Sequence, residues 1–414
     1  MDKLKAEHNL NKRFAKFTFI STIFNYGSKF LLTLTFAKVL GLDDFGVYTV
    51  ITATVFLFEK LCNPQIWLYL IKNSNKSDSI TFKSRLISKS ITYEIIFKLC
   101  AVITYYSFIY LFIENNFNLY AVAGIYIPIM FIGTMQGLIR LNNNVYGLLK
   151  YNISIFAINI IVVICVLFFQ MTIEDAVVLF IVPEFFGLIV ICHASKVNFK
   201  FILKSAIYFK FDKNEVKEIF HFHLNGMVRV LTREFDIIVF SWFFNKESVG
   251  VYKIAKQVSH LPLLMTDGLY NSIYASFCKF ISQGEFKLAF CLFYKNIKTA
   301  AWISLVGLGG VVVVSLVLDH IYGTDDKILI ISILLYLSVI VSIVTFPFAP
   351  MMNALNKTKE LILINVAATI VYFFVFYISC EYGSEVIVYL SYLIYYLLWS
   401  FLCYLIIIKD KASV

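Results

Sequence analysis

The sequence predicts an all-α membrane protein of about twelve transmembrane helices, arranged as two six-helix lobes related by an internal repeat. Three observations carry this reading. Of the 414 residues, 60% are apolar and only 15% charged, against roughly 25% charged in an average soluble domain. Apolar runs recur along the whole chain, most of them near the ~20 residues needed to cross a bilayer. The two halves also match at an offset of 204 residues. A mean hydropathy of +0.80 excludes a water-soluble globule, and 6 Pro and 17 Gly in the whole length exclude collagen-like and Pro/Gly-rich disordered classes.

Polar breaks divide the apolar runs into twelve spans near 14–40, 45–71, 90–113, 117–139, 152–171, 175–195, 219–244, 249–275, 293–318, 328–350, 361–380 and 386–408. The first run follows Met1-Asp-Lys-Leu-Lys-Ala-Glu-His with no small-residue cleavage site after it, so it reads as a span and not a removed signal. Orientation follows from the cations, which concentrate in cytoplasmic segments. With both termini cytoplasmic, the inner segments hold 26 Lys and Arg against 9 acids, while the outer loops hold Lys246 and Lys327 against 11 acids. The net charge of +10 is therefore a topology signal. It gives no reason to invoke nucleic acid.

The repeat is most evident where Phe36–Leu57 is laid on Phe240–Leu261. Phe36 meets Phe240, Gly46-Val47-Tyr48 meets Gly250-Val251-Tyr252, and Asp43 meets Glu247. Each match opens the second helix of its half directly after a short outer loop. The lobes are accordingly read as 1–212 and 213–414, two parallel sets of six helices as in several transporter folds, with the basic stretch Lys196–Lys217 as linker.

Ionisable groups inside spans are costly and usually face a bundle interior or a wet cavity. On span 7, Asn225, Arg229, Arg233 and Asp236 fall within about 80° of one another at 100° per residue. Lys253, Lys256, His260, Asp267 and Asn271 do the same on span 8, and Thr18, Thr22, Asn25, Lys29 and Thr33 on span 1. The offset of 204 carries Lys29 onto Arg233 and Asn25 onto Arg229. Both lobes thus place a cation beyond the middle of a hydrocarbon core about 30 Å thick. Counted on these helices, cations (Lys29, Arg229, Arg233, Lys253, Lys256) outnumber acids (Glu234, Asp236, Asp267) by five to three. Such a surplus suits an anionic cargo: a phosphate, a diphosphate or an acidic sugar. The plainer alternative is charge pairing between helices, which Glu94 and Lys98 at i, i+4 exemplify.

Lys29, Arg229, Arg233, Lys253, Lys256 and Asn25 are therefore the candidate substrate-binding residues. Glu59, Asp236 and Asp267 are candidates for coupling to H+ or Na+. Pro64, Pro347 and Pro350 interrupt spans 2 and 10, freeing carbonyls where a helix kinks or hinges; Pro183-Glu184 on span 6 is similar. The 42 Phe and 26 Tyr are expected mostly at the lipid face and its interfaces, a minority stacking on sugar rings. No Walker loop, GxSxG or HExxH occurs, and the eight cysteines form no CxxC pair and read as apolar fillers. His221 and His223 read as interfacial residues, not metal ligands. Neither a cofactor nor a metal is expected.

The stretch Phe36-Ala-Lys-Val-Leu-Gly-Leu-Asp-Asp-Phe-Gly-Val-Tyr resembles the signature of the first two helices of bacterial polysaccharide export proteins. Asp236-Ile-Ile-Val-Phe followed by Gly250-Val-Tyr resembles its counterpart in their second lobe, and Gln136-Gly-Leu-Ile-Arg140 also fits. On these motifs the chain resembles the polysaccharide and O-antigen flippases (Wzx-like), within the MOP exporter superfamily that includes the MATE drug exporters and the lipid II flippase. The resemblance implies a V-shaped pair of lobes around a cationic lumen in the bacterial cytoplasmic membrane. That lumen would turn a glycan on a polyprenyl diphosphate from the inner to the outer leaflet, alongside glycan-assembly partner proteins. Lys29 and Arg233 match the lumen cations of such proteins by place on the helix. Two rivals remain: a MATE-like exporter of cationic drugs, which would want a net acidic interior, and a membrane glycan polymerase, which would want a large outer loop.

Overall fold

The computed structural model describes residues 2–64, 66–74, 79–142, 144–197, 212–263, 273–274, 276–281 and 283–412. Among the described residues the chain is helical with no strand. Nine helical stretches in this set are long and apolar enough to cross a membrane. One of them, Ile23–Leu61, joins most of the predicted spans 1 (14–40) and 2 (45–71) in one helix. Predicted span 7 is helical over 219–243, and the described part of span 8 is helical over 249–263; residues 264–272 lie outside the described set.

Contacts divide the chain into two compact units, Met1–Ile238 and Val239–Val414. The first unit begins with α1 (Asp2–Leu61), which kinks at Gly41, where φ is +78°. That left-handed backbone is strained for any residue with a Cβ, so glycine lets two spans meet without a loop. The repeated motif packs this corner. Phe36 and Tyr48 meet edge to face with centroids 5.2 Å apart, and both are buried beside Phe45.

After α1 come α2 (Ile66–Ser74) and the long α3 (Ile80–Phe112). The predicted span 4 is one run in the sequence but three pieces in the structure: α4 (Phe117–Ala123), α5 (Tyr126–Ile129) and α6 (Gly133–Leu141). Pro128 cannot donate to the helix ladder. Gly124 lies against the Tyr105 ring, where a Cβ would fall 2.5 Å from Cε1. The unit continues with α7 (Val145–Phe168), α8 (Ile173–Ser195), which a Thr172/Asp175 capping box starts, and α9 (Lys213–Val230). A π-helical turn, Leu231–Phe235, joins α9 to α10 (Asp236–Phe243).

The second unit holds α11 (Lys246–His260), α12 (Phe286–Tyr322), α13 (Lys327–Val344), α14 (Phe348–Ala354), α15 (Thr358–Glu381) and α16 (Glu385–Ala412). Phe240 and Tyr252, the repeat partners of Phe36 and Tyr48, stack with centroids 4.7 Å apart. Asn245 stands where Gly41 stands in the first half. It solves the same corner differently, its side chain accepting from the Ser248 amide at 2.8 Å to cap α11. Asp319 closes the α12–α13 corner by accepting from the amides of Ile328 (3.0 Å) and Leu329 (2.8 Å) and from the Thr324 hydroxyl.

Candidate functional site

In the first unit, buried and half-exposed charges come from α1 (Lys29, Glu59, Lys60), α3 (Glu94, Lys98) and α8 (Glu184). Lys29 Nζ donates to Glu184 Oε1 at 2.5 Å; the Lys29 side chain is 44% exposed and that of Glu184 only 5%. Pro183 lies inside α8 immediately before Glu184. One turn earlier on the same face, Phe180 stacks on Tyr126 at 4.8 Å and meets Phe56 edge-on at 5.4 Å. Aromatic surroundings of low polarity strengthen a charge interaction beside them. Gly187 lets α7 approach, since a Cβ there would lie 3.0 Å from Ile155 and 3.1 Å from Tyr151.

A second lysine shares the arrangement. Lys60, 45% exposed at its side chain, lies 3.0 Å from Oε2 of the fully buried Glu59, and Glu184 and Tyr26 are within its electrostatic reach. Glu59 Oε1 accepts from the buried Lys98 and from Asn63, each at 2.6 Å. The sequence pattern singles out Glu59 and passes over Lys60. Its position at the last turn of a helix interrupted by Pro64 is the signal that points to it.

Glu94 and Lys98 do not pair as their spacing predicts. Lys98 reaches across to Glu59, whereas Glu94 takes the amides of Gly133 and Thr134, both at 2.7 Å, at the start of α6. The break in span 4 explains the exchange. A helix start buried in the bilayer leaves amides that need an acceptor, and a carboxylate from the next helix supplies it.

Asn25 donates to Asn152 at 2.9 Å across the α1–α7 seam, and Ser28 beside Lys29 accepts from Asn159 at 2.9 Å. The span 1 stripe therefore turns its amide towards α7 and its cation towards α8. The side chains of Thr18, Thr22, His221, Asn225, Arg229 and Arg233 lie outside the described residues, as do Asp267 and Asn271; the backbone places Arg233 and Glu234 within the π-helical turn. Asp236 is buried at the first position of α10. In the second unit Lys256 is buried, 5.4 Å from the Tyr392 ring centroid and 5.8 Å from that of Tyr252, while Lys253 is half-buried. Pro64 falls in the break between α1 and α2, Pro347 caps α14 and Pro350 lies inside it. His223 is buried; its Nε2 lies 2.6 Å from the Leu61 carbonyl, close to the helix break at Pro64.

A family model described as polysaccharide biosynthesis protein matches residues 15–276, more than half of the chain. The chain belongs to the polysaccharide biosynthesis protein family. Among curated proteins none matches it. This family member has the fold of MOP superfamily transporters. It is similar to an inward-facing multidrug resistance MATE transporter at TM-score 0.73 and 12% identity, covering 95% of each chain. The outward-facing conformation of such a transporter follows at TM-score 0.67 and 11% identity, covering 97% and 96%. A MOP superfamily transporter from Pyrococcus furiosus, described by the reverse polarity of its binding pocket, gives TM-score 0.61 at 11% identity over 97% and 96%. Family and fold together make this polysaccharide biosynthesis protein a multi-span helical protein with a transporter-type fold.

Proposed function

We propose that the protein is a flippase that moves a polyprenyl-diphosphate-linked oligosaccharide, an O-antigen or similar surface-glycan repeat unit, from the inner to the outer leaflet of the bacterial cytoplasmic membrane. The observation that supports this best is the pair of half-exposed lysines, Lys29 and Lys60, each backed by a buried carboxylate. A membrane-depth ammonium with one open face is suited to a phosphate, to which it offers three donors. A cationic drug would meet like charge there, which disfavours the small-molecule exporter reading.

In this reading Lys29, Lys60 and Arg233 meet the diphosphate, with Asn25, Arg229, Lys253 and Lys256 along the cargo path. Residues 1–212 and 213–414 are the two lobes that exchange access, and both termini are cytoplasmic. Glu59, Asp236 and Asp267 remain candidates for coupling to H+ or Na+, and Pro64, Pro347 and Pro350 for hinges. The protein carries out no catalytic step and works beside glycan-assembly proteins. Purified protein in liposomes tests the reading with a fluorescent farnesyl diphosphoryl N-acetylglucosamine, its translocation read by dithionite quenching. Translocation above that of empty liposomes supports the assignment. Transport of a cationic dye with no movement of the lipid-linked sugar refutes it.

A further inference from the structure

We propose that Glu184 is a resident anion that competes with the cargo diphosphate for Lys29 and so sets the rate of cargo release. This rests on the flippase reading and concerns a residue that touches the cargo only through Lys29. It is a positioning residue.

The proposal follows from the geometry of the pair. The Glu184 carboxylate is almost fully buried, and among the described residues Lys29 is the one cation bonded to it. Lys29 reaches it with one of three N–H donors, and its side chain remains 44% exposed. An unpaired ammonium at membrane depth is costly, so between cargoes something anionic has to hold it. Glu184 does this from behind without closing the front. When a phosphate arrives at the front, two anions share one cation. Their mutual repulsion acts beside the apolar wall of Tyr126 and Phe180, where screening is weak. The cargo is thereby bound less tightly than a bare lysine would bind it, and it has a replacement waiting when it leaves.

Glu59 is not equivalent. If a phosphate draws Lys60 away, Glu59 keeps Lys98 and Asn63 at 2.6 Å each. Glu184 has no such second bonded cation among the described residues. The asymmetry assigns competition to Glu184 and support to Glu59.

The test compares wild type, Glu184→Gln and Glu184→Asp as purified full-length protein, with farnesyl diphosphoryl N-acetylglucosamine as the probe. Its diphosphate is esterified at both ends and keeps its charge through neutral pH. Binding is read in detergent and translocation in liposomes at equal protein content. Glu184→Gln removes one like-charge repulsion and is expected to tighten binding by about tenfold or more, while translocation slows because release has lost its competitor. Glu184→Asp keeps the buried charge, and with it the fold, but lengthens the pair; both effects are expected to be intermediate. A residue that only scaffolds Lys29 would give weaker binding in both variants, and equal or weaker binding in both overturns the proposal. Failure of wild type to bind the probe overturns the flippase reading itself, and this proposal with it.

Discussion

Lys29 and Glu184 lie 155 positions apart in the chain, yet their charged groups are 2.5 Å apart, the lysine half-exposed and the glutamate buried. Most of the proposed function turns on this pair. It explains how a cation midway along the first helix is tolerated at membrane depth while remaining open to a ligand.

The buried pair of Lys98 and Glu59 has the opposite character. Both side chains are at most 5% exposed, and removing one partner of such a pair typically costs about 3–5 kcal/mol. Lys98→Ala is therefore expected to lower membrane abundance and melting temperature sharply, by immunoblot and by thermal unfolding in detergent. Export per folded molecule should change little.

Gly307 and Gly309 stand two residues apart on α12 and should respond differently to alanine. A Cβ at Gly307 would overlap the Tyr336 hydroxyl and lie 2.9 Å from Pro262, whereas Gly309 has open space around it. Overpacking of this kind costs about 1–3 kcal/mol. Gly307→Ala should lower the melting temperature, while Gly309→Ala should leave it unchanged or raise it slightly through helix propensity.

Topology is testable with fusions. Alkaline phosphatase should be active at Glu174 and Asp325 and inactive at Lys210 and Ser413, with a fluorescent protein giving the converse pattern. Phosphatase activity at Lys210 or Ser413 would reverse the orientation read from the cation distribution.

Hinge roles predict a kinetic effect. The Pro64 site interrupts the helix between Leu61 and Ile66, so Pro64→Ala restores a donor and favours a continuous helix. The same applies to Pro347 at the start of α14. Either alanine variant should translocate more slowly in liposomes while inserting normally; unchanged rates in both would remove the hinge assignment.

Long apolar runs make most of the fold legible in the amino-acid sequence alone. The repeat also names its own packing: Phe36 with Tyr48 and Phe240 with Tyr252 meet in equivalent corners. Span 4 is not legible as three pieces, because hydropathy does not register the breaks at 124–125 and 130–132 inside an apolar run. The site is readable to the extent that periodicity reveals a polar face. Periodicity picks out Lys29 but not its partner, since Glu184 comes from a distant helix and no spacing rule reports contacts between helices. The same blindness produces the expected Glu94–Lys98 pair, whose spacing is right but whose groups have better partners on other helices. Lys60 escapes the pattern because it belongs to no stripe. Its importance comes from exposure, which only the folded chain defines.

The most direct measurement of the central claim is surface glycan in a strain lacking the native gene, complemented with Lys29→Ala, Lys60→Ala, Arg233→Ala or Arg233→Lys, with membrane abundance read by immunoblot. If these cations hold the cargo diphosphate, the three alanine variants lose export per molecule in the membrane, Lys29→Ala at reduced abundance because it leaves the buried Glu184 carboxylate without its cation. Arg233→Lys then keeps part of it, since a point charge replaces a two-pronged donor. Normal export per molecule by Lys29→Ala and Arg233→Ala would contradict the cationic binding mechanism.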